Sequence, residues 1–377
     1  MRQDLSQTVA FGIVGGYGAT GRVVVSELSR TCSAKVLIGG RDLDKGKALA
    51  AEFEHNVSAT LLDVLDTRSL DDFCRRCSIV VNCGGPVTLL QDRVAQAAFR
   101  NRCHYIDAAG MSVVRERILP HAREIEDAGL SFVISAGWMP GVSEFVPVYA
   151  DAQARLKMDT TESLTVYFCD SGEWSNNALV DGVKYIHQVG LRNPGYFRRG
   201  EWVRANMSTA LRKFNLGDPV GSGRFLLCSP LPELREFAQR LKDCDVFTYT
   251  YLSGFRTVID ATLMALFPLP EGLGVRLLRN VFRRNRLPVG GFVIAKVHGR
   301  SQGGSVSLTV QITFKENQDY WINGVVLATV ARMISDEQSV QRGVHFLADA
   351  VNRAAFMAEL RKGGIEQTEN FAESGEG

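Results

Sequence analysis

The sequence predicts an α/β protein: a doubly wound parallel sheet followed by an α+β domain with an antiparallel or mixed sheet. Three observations carry this. Short apolar runs alternate with helical patterns from residue 9 to about residue 140. A glycine-rich turn directly follows the first run. Beyond residue 155, several segments alternate apolar and polar residues instead. Strands alternating with helices imply right-handed crossovers and a parallel sheet, whereas a period of two marks half-exposed antiparallel strands.

The elements follow in order. Val9–Val14 reads as a buried strand, Gly15–Gly21 as a tight turn and Arg22–Arg30 as a helix. Lys35–Gly39 is a second strand, and Leu43–Phe53 a helix rich in Lys and Ala. Thr60–Val64 and Ser78–Val81 are the third and fourth strands, with a helix from Leu89 to Arg100. Tyr105–Ala108 is a fifth strand, Pro120–Ala128 a helix and Ser131–Ser135 a sixth strand. In the second part, Ser163–Phe168, Arg224–Leu227, Val246–Tyr251, Phe292–Val297 and Ser305–Thr313 read as strands. Trp321–Met333 and Phe346–Leu360 return to helical patterns. The expected division is a dinucleotide-binding domain over 1–145 and a closing domain over 146–318. Helices over 319–366 are expected to pack back on the first domain, and 367–377 to form a flexible tail.

Composition narrows the function. The chain has 377 residues, with 45% hydrophobic, 22% charged and a net charge of +2. That balance suits a globular protein and gives no electrostatic case for nucleic acid. Eight cysteines in a chain this long are not needed as staples. Cys74 and Cys77 form a C-x-x-C with no second pair at zinc-ribbon spacing, so two half-buried thiols near a helix end are expected. No apolar leader precedes the first glycines, and no long uncharged apolar run suggests a spanning helix. The expectation is a reduced, cytoplasmic homodimer that acts on a small molecule.

The glycine turn, Gly16-Tyr-Gly18-Ala-Thr-Gly21, fits G-x-G-x-x-G in its proper setting, after a strand and before a helix. Gly16 permits the sharp turn, Gly18 lets backbone approach a pyrophosphate, and Gly21 lets the helix pack close to the strand. The helix N-terminus then offers N–H groups and a positive dipole to phosphates. A Rossmann-type domain is therefore expected, with Gly15, Gly16, Tyr17, Gly18, Ala19, Thr20 and Gly21 holding a nicotinamide dinucleotide.

The end of the second strand selects the cofactor. An NAD site usually carries an acidic residue there. This chain reads Ile38-Gly39-Gly40-Arg41-Asp42. Arg41, helped by Lys45, suits a 2′-phosphate, so NADP(H) is expected over NAD(H). Asp42 is either a ribose acceptor or a helix N-cap, and the cap is the expectation. Asp63, at the end of the third strand, is placed for the adenine. Cys83, Gly84, Gly85 and Pro86 close the fourth strand where small residues let backbone pass the nicotinamide ribose.

These segments resemble the saccharopine dehydrogenase-like reductases. The likeness rests on GGYGATG, the glycine–arginine end of strand two, VVNCGGP, HYIDAAG and SAGWMPGVSEF, with GFVIAKVHGR and FMAELRKGGIE further on. It spans residues 8–365 and is specific over the first 145. Met111 stands where many relatives place an acidic residue. The resemblance implies a Rossmann domain with a second α+β domain closing over NAD(P). It implies redox chemistry at carbon–nitrogen bonds of amino-acid derivatives, or, in a second branch, enoyl reduction of lipid-like or polyketide intermediates. It adds Ala108, Gly137 and Trp138 to the cofactor residues.

Hydride transfer is the cofactor's chemistry, so the protein must orient the substrate and supply any proton. The candidate catalytic residues are Asp107 at the end of strand five, Glu144, Asp170 in a polar loop running to Asn177, and Lys184 in the next helix. Capping of a turn is the plain alternative for Asp107, and a solvated surface for Glu144. Arg198 and Arg199 are either a carboxylate clamp or a surface pair. The segment Leu273–Arg286 is basic and amphipathic. A helix with its apolar face in the core is the expectation, and contact with an anionic membrane or a carrier protein the alternative. Three functions stay open: an NADP-dependent oxidoreductase at C=N bonds, an enoyl reductase for a bulky or carrier-bound substrate, and a noncatalytic NAD(P)-binding sensor or scaffold.

Overall fold

A computed structural model describes residues 10–32, 34–53, 56–170, 172, 174–189, 194–252, 254–267, 269–284, 287, 289–315, 318–337 and 340–373. Val9 of the first expected strand lies outside these residues. So do Ser171 and Glu173 of the polar loop, Arg286 of the basic segment and the last four residues of the tail.

Six strands come first: β1 (Ala10–Val14), β2 (Lys35–Gly40), β3 (Val57–Leu61), β4 (Ile79–Asn82), β5 (His104–Asp107) and β6 (Ser131–Ile134). The second half contributes β7 (Thr160–Asp170), β8 (Gly195–Arg198), β9 (Glu201–Arg204), β10 (Leu211–Asn215), β11 (Ser222–Leu227), β12 (Asp245–Leu252), β13 (Gly291–Ser301) and β14 (Gly304–Phe314). β15 (Gly343–Phe346) and β16 (Glu366–Glu373) close the chain. The chain divides into two compact units. One runs through Gly141 and takes in Tyr320–Gly363; the other is Val142–Asp319 with the chain from Gly364.

The first unit is a Rossmann-type sheet in the order β15-β6-β5-β4-β1-β2-β3, with every pairing parallel. Helices cover both faces, so the central strands are apolar on both sides. Phe11 and Ile13 of β1 are fully buried, as are Val80 and Val81 of β4. The strand order reverses between β1 and β4. A crevice at the carboxyl ends of these two strands is where open α/β sheets take their ligands.

The second unit is an α+β domain built on a mixed sheet, β10-β11-β12-β7-β13-β14-β16, with β8 and β9 attached at β12. β12 and β7 run parallel and the other pairs are antiparallel. Its core stacks Tyr167, Phe225, Tyr249 and Phe292 from four strands on one face.

Three local readings are corrected, and a fourth, the basic segment, takes the core reading expected of it. β3 starts three residues before the expected Thr60. It is an edge strand, half exposed, and its VSATL gives little apolar signal. Phe346 ends β15 rather than starting a helix; the helices are Leu347–Ala350 and Arg353–Lys362, and the Asn352 side chain caps the second. The expected tail from 367 is instead β16 up to Glu373, paired along β14. Lys157 holds Glu369 of that strand at 2.6 Å. The basic segment forms the helix Glu271–Arg284, and its apolar residues Val275, Leu278 and Val281 are buried with Leu179 and Val183. That face is core and not a membrane-facing surface. No helix among the described residues is long and apolar enough to cross a membrane.

Candidate functional site

The site of the first unit is assembled where β1, β2, β4 and β5 end. β1 stops at Val14, and Gly15 turns the chain with φ +70°. The Gly15 N–H donates to the Gly39 carbonyl at 2.8 Å, which ties the loop to β2. The helix Ala19–Thr31 then begins with no side chain capping it at Gly18. A helix begun this way directs its first N–H groups outward, toward any anion placed there. A Cβ at Gly21 would strike the Gly15 carbonyl and the Gly16 backbone, so the helix sits as near the turn as backbone allows. At exposed Gly18 a Cβ would meet only the Gly15 carbonyl, at 3.1 Å. The loop is thus closed beneath and open above, a fit for a dinucleotide pyrophosphate.

Tyr17 organises the second half of the loop. Its hydroxyl accepts the Asp42 N–H at 3.0 Å, and its ring covers Gly40 so closely that a Cβ there would overlap it. The position where an acidic residue would read a ribose is therefore filled by a tyrosine ring. Asp42 is the N-cap of the helix Leu43–Ala50; its Oδ1 accepts the Lys45 N–H at 3.0 Å. That N–H bond, with the nearby ammonium, holds the Asp42 carboxyl below its ordinary range. Lys45 Nζ lies 3.1 Å from Asp42 Oδ2, so this lysine is engaged by the cap. Arg41 is exposed, just beyond the end of β2. Asp63 is also exposed and spends its Oδ1 on the Leu65 N–H at 2.9 Å.

The β4 end packs against the loop. The Cys83 N–H donates to the Val14 carbonyl, and the Gly84 N–H to Asn82 Oδ1, both at 3.0 Å. A Cβ at Gly15 would lie 3.3 Å from the Gly84 nitrogen. Burial pushes the Cys83 thiol up to about 12, so it stays a thiol. Gly85 is exposed beside it, and Pro86 precedes the short helix Val87–Leu90.

Asp107 braces the neighbouring loops. Its Oδ1 accepts the Ser135 N–H at 3.0 Å and the Gly110 N–H, and its own carbonyl accepts from Ala136 at 2.7 Å. The Ala108 N–H reaches the Asn82 carbonyl at 3.3 Å. Asp107 Oδ2 is buried without a hydrogen-bond partner, although the Tyr105 hydroxyl is close enough to favour the charged form. Burial outweighs the donors and raises this carboxyl to about 6. These bonds match the turn-capping alternative. His104, on the same strand, accepts the Ser131 N–H through Nδ1 at 3.0 Å, and burial lowers it to about 4.

Gly137 packs tightly; a Cβ there would overlap the Ala108 carbonyl. Trp138 is fully buried, with its N–H on Asn323 Oδ1 at 2.8 Å. Its indole is a core side chain, not a group open to ligand. Asn323 comes from the helix Asp319–Ser335, and no local sequence signal pairs it with Trp138.

The other candidates belong to the second unit. Glu144 is 3% exposed, which corrects the surface alternative, and it accepts the Ser143 hydroxyl at 2.7 Å. Tyr185, Arg235 and Cys228 lie near one another, and Glu144 is close enough to raise the tyrosine further. Asp170 ends β7 and is also buried; it accepts the Gly172 N–H at 2.7 Å and Trp174 Nε1 at 3.3 Å. Burial lifts its carboxyl to about 7, with help from the buried Asp319 nearby. Lys184 lies 3.6 Å from Glu271, half exposed, between two helices. Arg198 and Arg199 are exposed at the β8–β9 turn. Sequence reasoning missed Asp319 and Arg235. Neither stands in a motif, and only the fold brings them to Asp170 and Tyr185. The cysteines are free, and no cluster suited to a metal occurs among the described residues.

A Rossmann sheet with an uncapped glycine loop at its switch point defines a dinucleotide-binding protein. Residues 11–133 match the family model described as saccharopine dehydrogenase NADP binding domain, so this part of the chain is similar to that NADP-binding domain. The match supports NADP(H) binding by these residues. The whole fold is similar to apo saccharopine dehydrogenase (L-Glu forming) from Saccharomyces cerevisiae: 97% of this chain and 100% of that one, TM-score 0.69, 14% identity. That likeness concerns the fold alone. A Caenorhabditis elegans protein named "Lipid droplet localized protein" is 25% identical over 137 residues, 33% of this chain. The match spans about a third of that relative's length, 32%.

Asp107 carries a prediction. Its folded carboxyl takes up a proton near pH 6, while an unfolded one does so near 3.8. Stability from this group is therefore greatest at low pH and declines as pH rises from about 4 to about 6. At about 1.4 kcal/mol per pH unit the cost at neutral pH is roughly 3 kcal/mol. Asp107→Asn should flatten the rise in melting temperature seen as pH falls from 7 to 5, and Asp107→Ala should lose about 2 kcal/mol or more through unpaired buried N–H groups. Melting curves of the three proteins across that range check this; parallel curves for wild type and Asp107→Asn would count against it.

Proposed function

We propose that the chain is an NADP(H)-dependent oxidoreductase that moves hydride to or from a C=N bond of a small amino-acid-like compound. One observation carries the cofactor half: the strand-two end offers Arg41 to a 2′-phosphate, while Gly40 has a tyrosine ring in place of an acid and Asp42 is used as a cap. The family match over residues 11–133 supports the same cofactor. In this reading, the loop Gly15–Gly21 and the helix behind it hold the pyrophosphate. The Cys83–Pro86 turn positions the nicotinamide ribose by backbone alone.

Bound NADPH supplies the hydride. The chain's own task in reduction is to hold the imine and deliver one proton to its nitrogen as hydride reaches its carbon and the π pair moves to nitrogen. Asp170, in the second unit, has the chemistry of a proton donor: a buried carboxyl that protonates near pH 7 holds its proton where an ordinary aspartic acid has lost it. A homodimer and a cytoplasmic location complete the proposal.

Arg41→Ala should weaken NADPH binding by roughly 10–100-fold and leave NADH almost unchanged, because a charge-assisted contact is worth roughly 1.5–3 kcal/mol. Fluorescence titration with both cofactors decides it. Equal losses would mean that Arg41 does not read the phosphate.

Turnover of enones but not imines across a substrate panel would favour enoyl reduction. Cofactor binding with no turnover would favour a sensor or scaffold.

A further inference from the structure

The helix Gly254–Leu266 and the turn after it present an apolar stripe to solvent. Ile259, Leu263 and Phe267 recur every fourth residue, so they share one face. They are 39%, 41% and 53% exposed. Leu273, 45% exposed, stands in the first turn of the helix Glu271–Arg284, which packs against this one. The stripe is not a misplaced core face, because Thr257 and Met264 on other sides of the same helix are buried. Other large exposed apolar side chains, such as Leu156 and Met207, stand apart from this one, and a contiguous patch carries more meaning than scattered residues.

Charge indicates what covers the stripe. Residues 254–284 hold five arginines against two carboxylates. Asp260 is bound by Arg284, and Glu271 lies 3.6 Å from Lys184, so neither acid opposes an anion. Arg256 precedes Ile259 by three residues and Arg276 follows Leu273 by three, which places an exposed arginine on the face at each end. No ion pair joins Arg256 or Arg276 to an acid among the described residues. A second copy of the chain would bring arginine against arginine. An anionic phospholipid layer offers acyl chains to the stripe and phosphates to both ends at once.

We propose that this face docks the chain on an anionic phospholipid surface. Ile259, Leu263, Phe267 and Leu273 enter the acyl boundary, and Arg256 and Arg276 lie at the phosphates. The inference stands apart from the cofactor reading and uses none of its residues. It also relocates the lipid-facing surface from the buried face of Glu271–Arg284 to the exposed face of its neighbour.

The test is flotation of the full chain with phosphatidylcholine vesicles, with and without phosphatidylserine. Binding should need phosphatidylserine and weaken as salt rises. Leu263→Glu with Phe267→Glu should cut binding roughly tenfold or more, because two large apolar side chains leave the lipid. Arg256→Glu with Arg276→Glu should do the same, whereas Leu156→Glu, 79% exposed at another place, should not. Melting curves and NADPH titration verify that each variant folds. No flotation, or flotation unchanged in both double variants, overturns the proposal. So does self-association lost in those variants without lipid binding, which would make the face a dimer contact. Loss of NADPH affinity in place of lipid binding would assign the stripe to the ligand site and overturn it too.

Discussion

The first unit depends on one close approach: the helix Ala19–Thr31 sits so near the Gly15–Gly16 turn that residue 21 has no room for a Cβ. From that contact follow the sharp turn at Gly15, the uncapped helix end at Gly18 and the tie from Gly15 to the Gly39 carbonyl. It brings a positive helix end to the strand-order switch, where a phosphate gains both dipole and N–H donors. A side chain at residue 21 would push the helix off the sheet and open the cradle beneath.

Around that contact, polar side chains hold neighbouring loops in place. Tyr17 bridges the glycine loop to the Asp42 N–H and closes the space over Gly40. Asn82 links Gly84 to Tyr105, and Asp107 gathers Gly110 and Ser135. Asp107 and Asp170 are both buried carboxyls raised by desolvation, yet their settings differ. Asp107 has its Oδ1 saturated by backbone donors, which fits a brace. Asp170 has a second buried acid for a neighbour, which fits a group that keeps its proton near neutrality.

Much of the first unit was legible because its signals are local. The glycine spacing, continuous apolar strands and the GGRD end of β2 each act within a few residues. Where the signal was weak, the reading slipped. β3 is a half-exposed edge strand and its apolar pattern drifts into Leu61 and Leu62. β16 is polar apart from Phe371 and Ala372 and gains its strand state from pairing with β14, which composition does not encode. Glu144 read as a candidate catalytic residue with a solvated surface as its alternative, and the fold buries it. Trp138 read as a ligand contact from its position after β6, and its burial rests on the distant helix that supplies Asn323. The basic helix Glu271–Arg284 was recognised, yet the face left open lies mainly on the helix before it.

Whether the first unit prefers a cofactor bearing a 2′-phosphate is read by titrating the unmodified chain with NADPH and with NADH, at low and at high salt. NADPH should bind roughly tenfold or more tighter, and the gap should narrow as salt screens the phosphate contact. Equal affinities, or tighter binding of NADH, would rule out a phosphate-reading Arg41.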